Sequence, residues 1–166
     1  EKIAKHLAAF YTSSQAALLL AKLTIDTPNP HWIALDWGKP DGGNSIGALE
    51  VADLACGSGT LLSAIYRAIE DRHIVARNSS GDDPLLEDLH RTLLEKVIHG
   101  YDVLAYATHM ALASLALHNP DAKFSSCNFV TLLLGMKGGM AWTGSLDFLS
   151  HRLGGIPIVV TLDKSY

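Results

Sequence analysis

The residues best suited to chemistry lie in one short run, Asp53-Leu54-Ala55-Cys56-Gly57-Ser58-Gly59-Thr60-Leu61-Leu62. A short apolar stretch enters two closely spaced glycines, and helical spacing follows. Gly57 and Gly59 permit a sharp turn and let a ligand approach the backbone closely. A helix starting at Thr60 presents free amide donors to that ligand. Asp53, at the end of the strand, can attract an ammonium group directly or through water. About 45 residues after the glycine turn, Gly100-Tyr101-Asp102 ends a second apolar run. The Asp102 carboxylate can accept two hydroxyl hydrogen bonds. It can equally cap a helix that begins at Val103, and the first run can be a plain strand-to-helix turn.

Other chemistries fit less well. A nicotinamide or flavin site wants a third glycine three residues after Gly59, where Leu62 stands. A phosphate-binding P-loop wants Gly-Lys-Ser/Thr, and no lysine is near. Gly57-Ser58-Gly59 is not the Gly-x-Ser-x-Gly of a nucleophile elbow. The eight histidines (His6, His31, His73, His90, His99, His109, His118 and His151) have no close ligand spacing with Cys or acids, and read as surface or core residues. Trp32, Trp37 and Trp142 fit core anchors or partner contacts equally well.

The elements that must position these residues follow from pattern. The length of 166 residues suits one domain with a substantial core. A composition 48% hydrophobic and 18% charged fits either a well-buried α/β core or a fragment that has lost a packing partner. Ile3 to Leu23 reads as helix, with Thr12, Ser13 and Ser14 as N-cap candidates for a run from Gln15 to Lys22. Thr27-Pro28-Asn29-Pro30 and the stretch from Gly38 to Gly47 read as loops. Ala48 to Ala55 is the strand entering the glycine turn, and Thr60 to Ile69 a helix. The polar stretch from Glu70 to Asp88 reads as an exposed loop or insertion. Leu85 to Glu95 reads as an amphipathic helix, Val97 to Asp102 as a strand, and Val103 to Leu117 as a buried helix. Asn128 to Leu134 reads as a strand. Gly135, Gly138, Gly139 and Gly144 mark a loop around Trp142, Leu146 to Leu153 a short helix, and Ile156 to Leu162 a final strand. Strands alternating with helices predict a three-layer, mainly parallel α/β sheet. Ligands on such sheets bind at the carboxyl ends of the strands, which selects the loops after Leu54 and Tyr101.

Net charge and cysteine usage narrow the class. A formal charge of −4, without a dense basic run, makes the chain alone a poor nucleic-acid binder. Two cysteines, Cys56 and Cys127, are too few for a disulfide scaffold or a structural zinc, and a reducing cytoplasm is the expected compartment. No apolar run reaches the roughly 18 residues of a membrane span, and no signal peptide is expected. The start at Glu1 is expected to mark an excised piece.

The run Asp53 to Leu62 resembles the cofactor-binding motif of the N6-adenine DNA methyltransferases of the type I and type IIG restriction-modification group. That motif commonly reads Asp-Pro-Ala-Cys-Gly-Ser/Thr-Gly; Leu54 replaces the proline, and the Ala-Cys pair is distinctive. Phe10-Tyr11-Thr12-Ser13 resembles the family's Phe-Tyr-Thr-Pro segment, which folds over the cofactor. Gly100-Tyr101-Asp102 resembles Gly-x-Asp/Glu, whose acid holds the ribose hydroxyls, and Tyr106 to Leu112 its helix of small and apolar residues. Gly144-Ser145-Leu146-Asp147 resembles the Gly-Asp/Ser-x-Leu element near the adenine.

The resemblance implies a Rossmann-like domain binding S-adenosylmethionine, with methyl transfer to adenine N6 in DNA as the parent activity. Asp53, Ala55, Gly57 and Gly59 would cradle the methionine part, with Cys56, Thr60 and Leu61 among the cofactor-binding residues. Asp102 with Val103 would meet the ribose. Tyr11 and Thr12 would close over the site, and Ser145 and Leu146 would border the adenine. Residues 1–47 would form a helical segment and loop on the cofactor site, and residues 48–166 the cofactor domain, with extra stretches at 36–45 and 71–88. The family's catalytic element, Asn/Asp-Pro-Pro-Tyr/Phe, whose aromatic ring stacks on the flipped base, is missing. Asn29-Pro30 and Asn119-Pro120 are misplaced, and Asp163-Lys164-Ser165-Tyr166 lacks both prolines. The chain is therefore expected to be an incomplete domain without catalytic residues or a metal, inactive alone. It would meet DNA through its parent protein, a recognition domain or a specificity subunit, and it would not meet a membrane. An RNA or protein methyltransferase fragment, or a non-catalytic cofactor-binding or assembly module, is the alternative.

Overall fold

The computed structural model describes residues 12–137 and 140–152. They form a mixed α/β structure built on a three-stranded parallel sheet in the order β1 (Val51–Asp53), β2 (Ile98–Asp102), β3 (Asn128–Thr131). The register pairs Asp53 with Gly100 and Asp102 with Thr131, so both acids stand at carboxyl ends of parallel strands. Gly100 is small for a reason: a Cβ there would stand 2.4 Å from the Phe129 ring, which crosses β2 at this point.

Helix α1 (Ser14–Asp26) starts at Ser13, whose hydroxyl accepts from the Ala16 amide at 3.3 Å, one of the N-caps expected. Its buried stripe is Ala17, Ala21 and Ile25, which packs along α3 (Thr60–Ser80). Arg72 of α3 donates to the Ile25 carbonyl at 2.7 Å and lies 4.5 Å over the Trp37 ring, fastening the carboxyl end of α1. The opposite side of α1 leaves Leu19, Leu20 and Leu23 exposed.

After the single turn α2 (Pro30–Ile33), the stretch 36–45 closes on itself: the Asp36 amide donates to the Asn44 carbonyl at 2.8 Å. It buries Trp37 and leads into a short 3₁₀ turn, Ile46–Ala48, with Ile46 wholly buried. The 3₁₀ turn takes the first residues of the strand expected from Ala48, which shortens β1 to Val51–Asp53.

Helix α3 corrects the reading of 70–88 as an exposed loop. It runs 21 residues and ends only at Gly81, which adopts φ 77° and donates back to Arg77 and Asn78. The polar composition misleads because His73 is a core residue. Its Nδ1 bonds the Trp37 carbonyl at 2.8 Å and its Nε2 accepts from the Leu85 amide at 3.1 Å, which fixes the neutral Nδ1–H tautomer. Helix α4 (Leu86–Thr92) passes without a loop into a π-helical turn, Leu93–Val97, and then directly into β2. Leu89, Leu93, Leu94 and Val97 are fully buried there.

Helix α5 (Ala105–Ala116) is half-exposed rather than buried. Ala107, Thr108, Ala111 and Leu115 face inward, whereas Tyr106 and Met110 face out. The glycine-marked loop around Trp142 is also corrected. Leu134–Lys137 (β4) and Met140–Thr143 (β5) form an antiparallel pair with Gly135 opposite Trp142. A glycine inside the ladder had read as a loop signal. Helix α6 (Ser145–Arg152) follows, close to expectation. The expected strand at 156–162, the part of the expected first helix at 3–11, and the carboxyl-terminal Asp163 to Tyr166 lie outside the described residues. Among the described residues no helix is long and apolar enough to cross a membrane.

Candidate functional site

At the carboxyl end of β1, Thr12, Asp53, Ala55, Cys56, Gly57, Ser58, Thr60 and Leu61 line a small cleft. The backbone builds it. The Asp53 carboxylate accepts from the Ala55 amide at 3.1 Å, which starts the turn. The Cys56 amide donates to the Tyr101 carbonyl at 2.9 Å, extending the β1–β2 pairing into the loop. Gly57 and Gly59 take left-handed φ values of 52° and 81°. Gly59 is required twice, because a Cβ there would also stand 2.9 Å from the Ala111 Cα and Cβ of α5. This glycine brings the start of α3 against α5, so the chain packs those helices closely despite Leu62. No side chain caps the start of α3, so its first amides face the cleft region uncapped.

Asp102 reaches the same turn from β2. Its Oδ2 accepts from the Gly57 amide at 2.9 Å and its Oδ1 from the Leu104 amide at 2.9 Å. Asp102 does not cap a helix from Val103: the N-cap of α5 is Leu104, without a side-chain cap bond, and the Asp102 carboxylate closes a turn just before it. Burial, followed by the Asp102 charge, raises the Asp53 pKa above the usual carboxylate value even against its bond from Ala55. A cation in the cleft would relieve that cost. Burial first, then Asp102 and Asp53, push the Cys56 thiol up to about 12. Cys56 therefore stays a thiol and supplies packing rather than a nucleophile.

The third group of expected residues joins from α6. The Ser145 hydroxyl donates to the Leu54 carbonyl, tying the start of α6 to the exit of β1. Gly144, at φ 63°, leaves room for Val103, whose Cγ1 a Cβ would meet at 2.8 Å. Tyr101 and Phe148 rings lie 4.5 Å apart between the same elements. The structure thus gathers Asp53, the glycine turn, Asp102, Val103 and Ser145 at one edge of the sheet. Asp102, Val103, Ser145 and Leu146 do not line the small cleft itself, and Leu146 is exposed. Tyr11 lies outside the described residues.

Sequence reasoning missed a larger groove of about 630 Å³ between α1, α3 and α5, which shares Ser58 and Thr60 with the cleft. Leu18, Ser63, Arg67, Met110, Ser114 and His118 line it. No motif marks it, because three distant segments each give it one face. Behind its wall His118 stacks on Tyr66 at 4.4 Å, and the Tyr66 hydroxyl meets His90 Nδ1 at 2.8 Å. Burial lowers the pKa of both histidines. His73 and His90 are core histidines, and Trp37 is a core anchor.

No family model matches the chain, and none of the curated proteins is significantly similar to it.

Proposed function

We propose that this chain is the S-adenosylmethionine-binding part of a Rossmann-like methyltransferase whose parent acts on adenine N6 in DNA. The observation that carries the reading is the junction of Asp53, the Gly57–Gly59 turn and Asp102 at the carboxyl ends of two parallel strands. The Gly57 amide stands 2.9 Å from the Asp102 carboxylate. Ligands of parallel sheets bind at such an edge. S-adenosylmethionine carries an ammonium and a sulfonium at one end, a ribose diol in the middle and an adenine at the other. Asp53, with its raised pKa, suits the positive end. Asp102 retains lone pairs for the diol. Ser145 donates its proton to Leu54 and so offers its oxygen to the adenine amine. Thr12 lines the cleft and fits a segment closing over the methionine part.

The cofactor supplies the reactive methyl when bound; this chain's residues hold and orient it. The catalytic Asn-Pro-Pro-Tyr element is absent from the sequence, and DNA contact and transfer belong in this reading to the parent protein or its partner, in the cytoplasm. The outward leucines of α1 favour a second reading, a non-catalytic assembly module that works covered by another surface.

Calorimetric titration with S-adenosylmethionine, with Asp102→Ala and with NAD as controls, tests the proposal. Saturable binding that the substitution weakens, without an NAD signal, is expected. If the described chain and one extended past Tyr166 both fail to bind, the methyltransferase reading is wrong.

A further inference from the structure

Asp102 has more to do than a ribose contact requires. Both of its carboxylate oxygens are already engaged in the ligand-free fold, Oδ2 by the Gly57 amide and Oδ1 by the Leu104 amide. Its own carbonyl accepts from the Leu132 amide at 2.7 Å, so the residue is fixed to the loop after β3 as well. The two glycines of the turn are held differently. Gly59 is clamped by Ala111, whereas a Cβ built on Gly57 meets nothing within 4 Å. The Gly57 end, left-handed at φ 52°, has no such clamp at its Cβ position. Its amide is held by a charge-assisted hydrogen bond to a carboxylate on another strand.

We infer that Asp102 is a positioning residue that presets the glycine turn, so that one carboxylate shapes the cleft at that turn and sets a ribose position beside it. The inference rests on the proposed cofactor for its second half only. An ionised carboxylate offers about four acceptor positions. The two amides occupy one on each oxygen and leave one on each for a vicinal diol. An asparagine has a single oxygen and turns its NH₂ toward one of the two amides, so it cannot perform both tasks. Binding at the ribose and order at the turn are thereby coupled through one side chain.

The test begins with the ligand-free wild-type chain. Scalar coupling across the hydrogen bond is expected between the Gly57 amide nitrogen and the Asp102 carboxylate carbon by NMR. The bond from the Gly59 amide to the Cys56 carbonyl, 2.8 Å long, serves as the positive control. In Asp102→Ala, which removes both acceptors, the Gly57 amide should exchange with solvent more than tenfold faster, while the Ile69 and Leu115 amides keep their protection. The second half is read with S-adenosylmethionine and an analogue lacking both ribose hydroxyls. Asp102→Ala should weaken binding of the analogue as well, because the turn has lost its brace. Absence of coupling at Gly57 where Gly59 shows it overturns the inference, even if the variant fails to fold. So does unchanged analogue binding in a folded Asp102→Ala. Coupling at Gly57, with no S-adenosylmethionine binding by this chain or by one extended past Tyr166, would keep the brace and remove the cofactor reading, so the two failures are distinct.

Discussion

Gly59→Ala probes the joint between the glycine turn and the helix layer. Two penalties fall on one methyl group. The backbone at Gly59 has φ 81°, and an L-residue in the left-handed region costs about 1–2 kcal/mol. The added Cβ stands 2.9 Å from both the Cα and the Cβ of Ala111. One of these is backbone, so helix α5 or α3 must move, an overpacking cost of about 1–3 kcal/mol. The sum, about 2–5 kcal/mol, is a large part of the stability of an ordinary domain. Gly57→Ala supplies the comparison: its φ is 52° and its Cβ enters open space, so only the backbone cost of about 1–2 kcal/mol applies. Urea unfolding of the two variants measures the difference directly. Ala111→Gly in the Gly59→Ala background should return part of the loss, because the clash with the methyl group disappears while the clash with the helix backbone remains. A Gly59→Ala variant no less stable than Gly57→Ala would refute the close packing of α3 on α5.

Further perturbations test other parts of the fold. His73→Leu removes both the bond to the Trp37 carbonyl and the acceptor for the Leu85 amide, and should cost about 2–5 kcal/mol in the same urea assay. A loss under about 1 kcal/mol would mean that water replaces both bonds. Burial lowers the His90 and His118 pKa values below the 6.5 of a free histidine. The unfolded chain then binds more protons just below that value, and stability falls as pH drops from 6.5 toward the folded pKa values. The fall should be smaller in His90→Gln, and an equal slope in both proteins speaks against the histidine assignment. Asp53→Asn keeps an oxygen for the Ala55 amide and removes a charge whose burial raises its pKa. The ligand-free variant should melt no lower than wild type yet bind S-adenosylmethionine more weakly. A lower melting temperature would show that the Asp53 charge stabilises the empty site.

How legible the molecule is from its sequence depends on whether the signal is local. The Asp53 turn, the Ser13 cap and the strand ending at Asp102 could all be read because backbone geometry and residue type coincide there. The carboxyl half of α3 could not, since His73 looks like a loop residue until Trp37 and Leu85 arrive from other segments to satisfy it. The β4–β5 ladder was hidden for the converse reason, a glycine seated inside a strand. Asp102 was legible as a candidate site residue at the end of a strand. Its bonds to Gly57 and Leu104 were not, because the first spans 45 positions of sequence. The groove between α1, α3 and α5 left no trace in any single segment.

The direct passage from Leu93–Val97 into Ile98 has a consequence for how this fold can vary. A loop absorbs an added or deleted residue by bulging, but between this π-turn and β2 there is no loop to absorb it. A one-residue length change there would rotate every following side chain of β2 to the other face and carry Asp102 away from the glycine turn. The stretch Gly81 to Asp83, exposed and without helix or strand, lies upstream of α4 and can take the same change without turning β2. Length variation among natural or engineered versions of this chain should therefore collect before Leu85 and be missing from residues 92–98.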